Sequence, residues 1–135
     1  MGMPAATKGG GRCVGGPDVC KTPAPTGAPL PVPYPNMADV SGSDDTCDKV
    51  VIVNKETVVE SSSISSSKGD EAGTVGGVKS NVNRDCCKFK KYSSKVYAGG
   101  KKVVYHTVTT AHNGSNANAV GAHAQPSQTK VFVAT

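Results

Sequence analysis

The chain has no tryptophan, and its aromatic side chains amount to four Tyr and two Phe in 135 residues. Hydrophobic residues make up only 36%, most of them valine. The core of such a chain is thin, and small domains with thin cores are usually reinforced by a metal, a disulfide or a partner. No run approaches the ~20 apolar residues of a membrane span. The stretch from Met1 to Lys8 lacks the apolar segment of a secretory signal, so the expected place of synthesis is the cytoplasm. Met1-Gly2 invites N-myristoylation, but Pro4, and alanine where a Ser or Thr belongs at the sixth position, argue against it. No apolar stripe at helical spacing persists for ten or more residues, which excludes a helical bundle.

The net charge of +5 is spread out, apart from Lys88, Lys90 and Lys91 and the pair Lys101 and Lys102. Salt-dependent binding of nucleic acid through these lysines would make the chain a small metal- or nucleic-acid-binding β module. The interleaved aromatics of single-strand binders are missing. Solvated lysines that discourage edge pairing are the stronger reading, and no nucleic-acid partner is expected. Five cysteines (Cys13, Cys20, Cys47, Cys86, Cys87) form an odd set without an export signal, which favours metal ligation or free thiols over a disulfide framework.

What the chain does contain is a motif in three copies. Lys49-Val50-Val51-Ile52-Val53 returns as Lys95-Val96-Tyr97-Ala98 and again as Lys130-Val131-Phe132-Val133. The first two lie about 45 residues apart, a period typical of repeat architectures. Hairpins are expected over Lys49–Val59, turning at Asn54-Lys55, and over Lys95–Val104, turning at Gly99-Gly100, with Thr129–Val133 as a closing strand. Lys79–Asn83 reads as a further strand. The stretch 21–36 alternates proline with Leu30, Val32 and Tyr34, and is expected to be an extended strap ordered on the outside of a single domain, 1–135. The serine-rich Glu60–Lys68 falls where the second repeat has Tyr105–Ala111, and is expected to be ordered as well.

GGGRCVGGPDVCKTPAP, PVPYPN, KGDEAG, KVYAGGKKVVYHTVTTAHN and PSQTKVFV, in that order, resemble the PAAR-like tip proteins of contractile injection systems, chiefly of type VI secretion. The resemblance spans Met3 to Val133. Pro4-Ala5-Ala6-Thr7 echoes the namesake tetrapeptide of the wider family, and Lys102-Val103-Val104-Tyr105 is its counterpart in the last full repeat. The resemblance implies an all-β fold, a small cone of short β-hairpins with pseudo-threefold internal repeats. Its base would cap a trimeric β-helical spike, the valine-glycine repeat protein or a phage-like counterpart, with one tip per trimer. Its apex would meet the target membrane, carrying secreted effectors in some systems. The protein would leave its cytoplasmic site of synthesis at the spike apex and be delivered out of the cell. Val50, Ile52, Val96, Val131 and Val133 would pair with or pack near the spike's terminal strands. Larger relatives carry a toxin domain after the tip, and none is expected before Thr135.

The same resemblance implies zinc near the apex. Zinc favours four Cys or His ligands in tetrahedral array and adds folding free energy directly. Cys13 and His112 stand in matching turns, with Cys20 seven residues on from Cys13 and His123 after the next glycine turn, so Cys13, Cys20, His112 and His123 are the expected ligands. His106 is the reserve, and Cys47 with Cys86 or Cys87 would neighbour one another near the base. No catalytic role is expected: no hydrolase signature surrounds any cysteine, and Asp70-Glu71 reads as a polar turn.

Overall fold

In a computed structural model, residues 2–25 and 27–135 are described; Met1, where the expected domain begins, and Thr26, inside the expected strap, lie outside them. The chain starts with β1 (Gly2–Pro4) and the long strands β2 (Arg12–Ala24) and β3 (Gly27–Asp39). A 3-10 turn at Val40–Gly42 leads into β4 (Ser43–Asp44), β5 (Cys47–Ile52), β6 (Lys55–Thr57), β7 (Ser63–Ile64) and β8 (Gly76–Gly77). Then follow β9 (Cys87–Phe89), β10 (Tyr97–Ala98), β11 (Lys101–Lys102), β12 (Thr109–His112), β13 (Ala119–Gln125) and β14 (Phe132–Ala134). The described residues form no α-helix, and no helix is long and apolar enough to cross a membrane. The fold is almost entirely β.

The largest sheet runs β3-β2-β13-β12-β9-β7-β4, with β8 also on β2. Not all its hairpins are short: β2 and β3 are 13 residues each, and most of 21–36 lies in them as paired strand. Leu30, Val32 and Tyr34 stand opposite Thr22, Cys20 and Asp18, and prolines fill the alternate positions 29, 31, 33 and 35. In an antiparallel ladder alternate residues face the partner. Proline has no N–H to give, so this pattern works only on an edge strand with its prolines turned outward, and β3 is that edge. The same prolines deny donors to any strand approaching from outside. The serine-rich segment is ordered through β7, and its Ser62 and Ser67 are buried and bonded to main chain. Lys79–Asn83 is not a strand. The chain folds back there, with Asn81 N–H on the Gly77 carbonyl and Gly77 N–H on that of Val82.

The three copies of the valine motif form β5, β10 and β14. Each pairs with a second strand: β5 with β6, β10 with β11, and β14 with β1 from the other end of the chain. Gly99-Gly100 makes the turn expected of it, both residues having positive φ. The first turn is one residue earlier than expected, at Val53-Asn54, again with two positive φ values. Beyond β1, β6 and β11 the chain meets in a closed cycle of hydrogen bonds. Ala6 N–H donates to the Val104 carbonyl (2.9 Å), Val104 N–H to that of Val58 (3.0 Å), and Val58 N–H to that of Ala6 (2.9 Å). The residues two before and two after repeat the pattern: Lys8 on Glu56, Glu60 on Lys102 and His106 on Pro4. Ala6 and Val104 thus occupy corresponding places, as the alignment of their tetrapeptides expects.

The cycle carries the apolar core. Ala6, Val58 and Val104 are fully buried, with Val40, Phe89, Tyr105, Val108 and Val133 packed around them. Burying a side chain of this size contributes about 2 kcal/mol.

Candidate metal centre

Where β2 leaves the apolar core, its register slips between Gly15 and Asp18: three steps along β2 match two along β3. An extra residue in one strand reverses which side chains face inward. Before the slip Cys13 is buried and Val14 exposed; after it Asp18 and Cys20 are buried and Pro17 is exposed. The bulge therefore turns Asp18 and Cys20 into the protein. Two glycines make the room. A Cβ on Gly15 would lie 2.7 Å from Cδ2 of His112, and one on Gly73 would lie 2.3 Å from Cβ of Cys20.

Asp70 meets them from the turn after β7, and all three side chains are fully buried. Cys20 Sγ is 3.4 Å from Asp18 Oδ1 and 3.8 Å from Asp70 Oδ2. Amides surround Asp18. Asn113 Nδ2 donates to Oδ1 at 3.1 Å, Asn36 Nδ2 to Oδ2 at 2.9 Å, and Asn118 Nδ2 also donates to Oδ1. The opposite ends of these amides fix their orientation. Asn113 Oδ1 accepts from Asp85 N–H and Asn118 Oδ1 from Lys79 N–H, while Asn36 Oδ1 accepts from His112 Nδ1 at 2.7 Å. On the other side of the ring, His112 Nε2 lies 2.7 Å from the Thr110 hydroxyl. Asp70 takes the Arg84 N–H at 3.0 and 3.3 Å.

The two carboxyls part in their titration. Burial raises both. For Asp18 the hydrogen bonds from Asp70, Asn118, Asn36 and Asn113 outweigh it and hold the carboxyl below its ordinary value. Asp70 is pushed up to about 7 by burial and by its hydrogen bond to Asp18, so it carries the shared proton. Cys20 is pushed up to about 12, by burial first and then by the charge of Asp18.

Among the described residues, Asp18, Cys20 and Asp70 bring one ligand atom each within 4.8 Å of one another, and this cluster can hold a metal ion. A tetrahedral zinc with bonds of about 2.0 Å to oxygen and 2.3 Å to sulfur sets such ligands roughly 3.5 Å apart. The measured 3.4 and 3.8 Å match that spacing, and the oxygen and sulfur donors suit it. A cation would displace the protons of Asp70 and Cys20, so binding strengthens as pH rises.

Of the four expected ligands, Cys20 lies in this cluster. The His112 ring lies outside it and is linked to it through Asn36. Cys13 faces the Cys87 thiol, and that contact, with burial, raises Cys87; Cys87 Sγ lies 3.8 Å from His112 Nε2. His123 stands opposite Cys13 on β13, beside Phe89 and His106, and among the described residues neither of its ring nitrogens has a hydrogen-bond partner. Burial pushes it down to about 4. The reserve ligand His106 uses Nε2 on the Ala124 carbonyl. Cys47 lies against the Gly99 turn, Cys87 is buried on β9, and all five thiols are free. The signal for Asp18 is its spacing from Cys20, two residues along one face of a strand. Asp70 stands in Lys-Gly-Asp-Glu, which also reads as a polar turn, and no sequence signal marks Asn36, Asn113 or Asn118.

The residues expected near a spike divide. Val50 and Val131 are exposed, and Ile52 and Val96 are half-buried against the core. Val133 is buried within it, because alternation along β14 turns its side chain inward.

A family model described as a toxin PAAR-like domain matches residues 11–121. No curated protein and no solved structure matches the chain.

Proposed function

The chain belongs to the toxin PAAR-like domain family, and from that premise we propose that it is a structural tip, one per spike, on the trimeric β-helical spike of a contractile injection system. In this reading its strand motifs make a small pseudo-threefold cone. The base covers the unpaired strand ends of the spike, and the apex aids puncture of the target envelope. The observation that carries the reading is the cycle Ala6–Val104–Val58, in which three separate stretches of one chain make the same hydrogen bonds to one another. A single chain that repeats one unit around an axis can match the axis of a trimer. Family and fold are consistent with a non-enzymatic role.

The metal in this reading is zinc, held by Asp18, Cys20 and Asp70, and it closes the polar end of the fold where few apolar side chains are available. The protein is made in the cytoplasm and leaves the cell with the spike, alone or with an effector. The test is co-expression with the spike protein encoded nearest to it, followed by native mass spectrometry and metal analysis. One chain and one zinc per spike trimer is the expected result. A chain that purifies as a monomer and binds no spike would overturn the tip reading. A 1:3 complex without metal would leave the tip and remove the zinc.

A further inference from the structure

Exposed apolar side chains scattered singly mean little. Three at the same position of three repeat copies are different. Val51 lies opposite Glu56, Tyr97 opposite Lys102 and Phe132 opposite Pro4. Glu56, Lys102 and Pro4 each stand two residues before a member of the hydrogen-bond cycle, Val58, Val104 and Ala6. The three positions therefore correspond, and their exposures agree: 57% for Val51, 56% for Tyr97 and 55% for Phe132. The next residue in each copy, Ile52, Ala98 or Val133, packs into or against the core. Each copy thus turns one side chain inward for stability and leaves one large apolar side chain more than half exposed. Two residues ahead of each stands an exposed lysine, Lys49, Lys95 or Lys130, and none of the three is in an ion pair among the described residues.

We propose that Val51, Tyr97 and Phe132, each with its lysine, are the three docking points of this chain, and that their occupant is a homotrimer whose chains each offer an apolar contact beside a carboxylate. The inference rests on the tip reading above and assigns its contact residues, displaced by one position from the valines expected of the sequence. A monomeric partner would use one point and leave two bare. A homotrimer on the common axis engages all three, and each contact after the first is intramolecular. A second copy of this chain would set lysine against lysine, and like charges across an interface disfavour it. The lysines fix the partner's complementary sign.

The test uses the full chain co-expressed with the spike protein encoded nearest to it, with serine at Val51, Tyr97 and Phe132 singly and together. Each single variant should weaken the complex by a similar factor, roughly tenfold, as for an ordinary interface anchor. The triple variant should lose the complex while keeping the circular dichroism and denaturation midpoint of the parent, since these side chains are exposed. Glutamate at Lys49, Lys95 and Lys130 together should slow association and reverse its salt dependence. A triple serine variant that binds as the parent does would overturn this assignment and leave the tip reading intact. So would one single variant that carries the whole loss. Parent chain that binds no spike overturns both, and parent chain that self-associates through these residues overturns the choice of occupant.

Discussion

The valine cycle and the Asp18 cluster are both fully buried and are built in opposite ways. Around Ala6, Val58 and Val104 the main chain makes the specific contacts, and the side chains supply volume. One alanine and two valines fill equivalent places, so identity at a single position is loosely constrained. Around Asp18 each contact is a side chain used once, from β2, β3, the turn holding Asp70 and the loop after β12. Nothing there repeats. The cycle should tolerate substitution in graded steps, whereas the cluster should fail when a member is removed, because buried donors left without acceptors cost more than lost contacts.

Removing the hub gives the largest contrast. Asp18→Ala leaves the amides of Asn36, Asn113 and Asn118 each short of an acceptor, and should destabilise the metal-free protein by about 4 kcal/mol at neutral pH. Urea denaturation in the presence of a chelator measures it. A loss smaller than that of a valine deletion in the cycle would break the comparison.

Next in size is a pH effect that the intact protein conceals. Asp70 sits near 7 in the fold against an ordinary 3.8. Between those values only the folded state holds the proton, so its contribution is complete below about 3.8 and is lost as pH rises through 7. His123, at the edge of the apolar core, sits near 4 against an ordinary 6.5. Its unfolded state takes the proton first, so its contribution is present above about 6.5 and is lost as pH falls toward 4. The two slopes oppose each other between about 4 and 6.5, and the parent should be nearly flat there. Asp70→Asn should lose about 3 kcal/mol as pH falls through that window, and His123→Leu should gain a similar amount. Below it, protonation of Asp18 destabilises every protein that keeps this residue. Parallel profiles for the parent and both variants would show that neither group titrates as its burial dictates.

Within the cycle, Val104→Ala removes two methyl groups from a site closed on all sides and should cost about 2 kcal/mol, with Val58→Ala close to it. Agreement between the two is the sharper test, because corresponding places should respond alike. A difference greater than about 1 kcal/mol would mean that the hydrogen-bond cycle does not equalise their surroundings.

These regions also differed in how far they could be read in advance. The strands next to the cycle were legible because repetition is visible along a chain: three Lys-Val copies mark β5, β10 and β14, and Gly99-Gly100 marks a turn. The pairing of β14 with β1 brings the two ends of the chain together, which no local pattern reports. The cluster was legible only at Cys20. Asp18 faces inward because the register slips by one residue between Gly15 and Asp18. A strict alternation read from Cys13 would have sent Asp18 outward. The asparagines are polar residues without a local signal, and Asn36 and Asn113 become interior only when β2, β3, the Asp70 turn and the loop after β12 close on the same carboxylate. His112 and His123 are equivalent candidates by sequence, yet the ring of one is held by Asn36 and Thr110 while that of the other has no hydrogen-bond partner among the described residues.

The smallest effect in the metal-free protein is expected at Cys20, and there the polar cluster can be made to differ from itself. A buried thiol is a weak donor, and Asp18 keeps its amides without it, so Cys20→Ala should cost about 1 kcal/mol or less in chelator. With zinc the roles invert. The parent gives the cation a sulfur and two carboxylates once the protons of Cys20 and Asp70 leave, so zinc in excess should raise its denaturation midpoint, more at pH 8 than at pH 6. The alanine variant, with two oxygens left, should gain little at either pH, and the valine variants should gain as much as the parent does. Equal zinc stabilisation of parent and Cys20→Ala would mean that the cation binds elsewhere. The cluster would then be a proton-sharing network whose only work is to hold the polar end of the fold together.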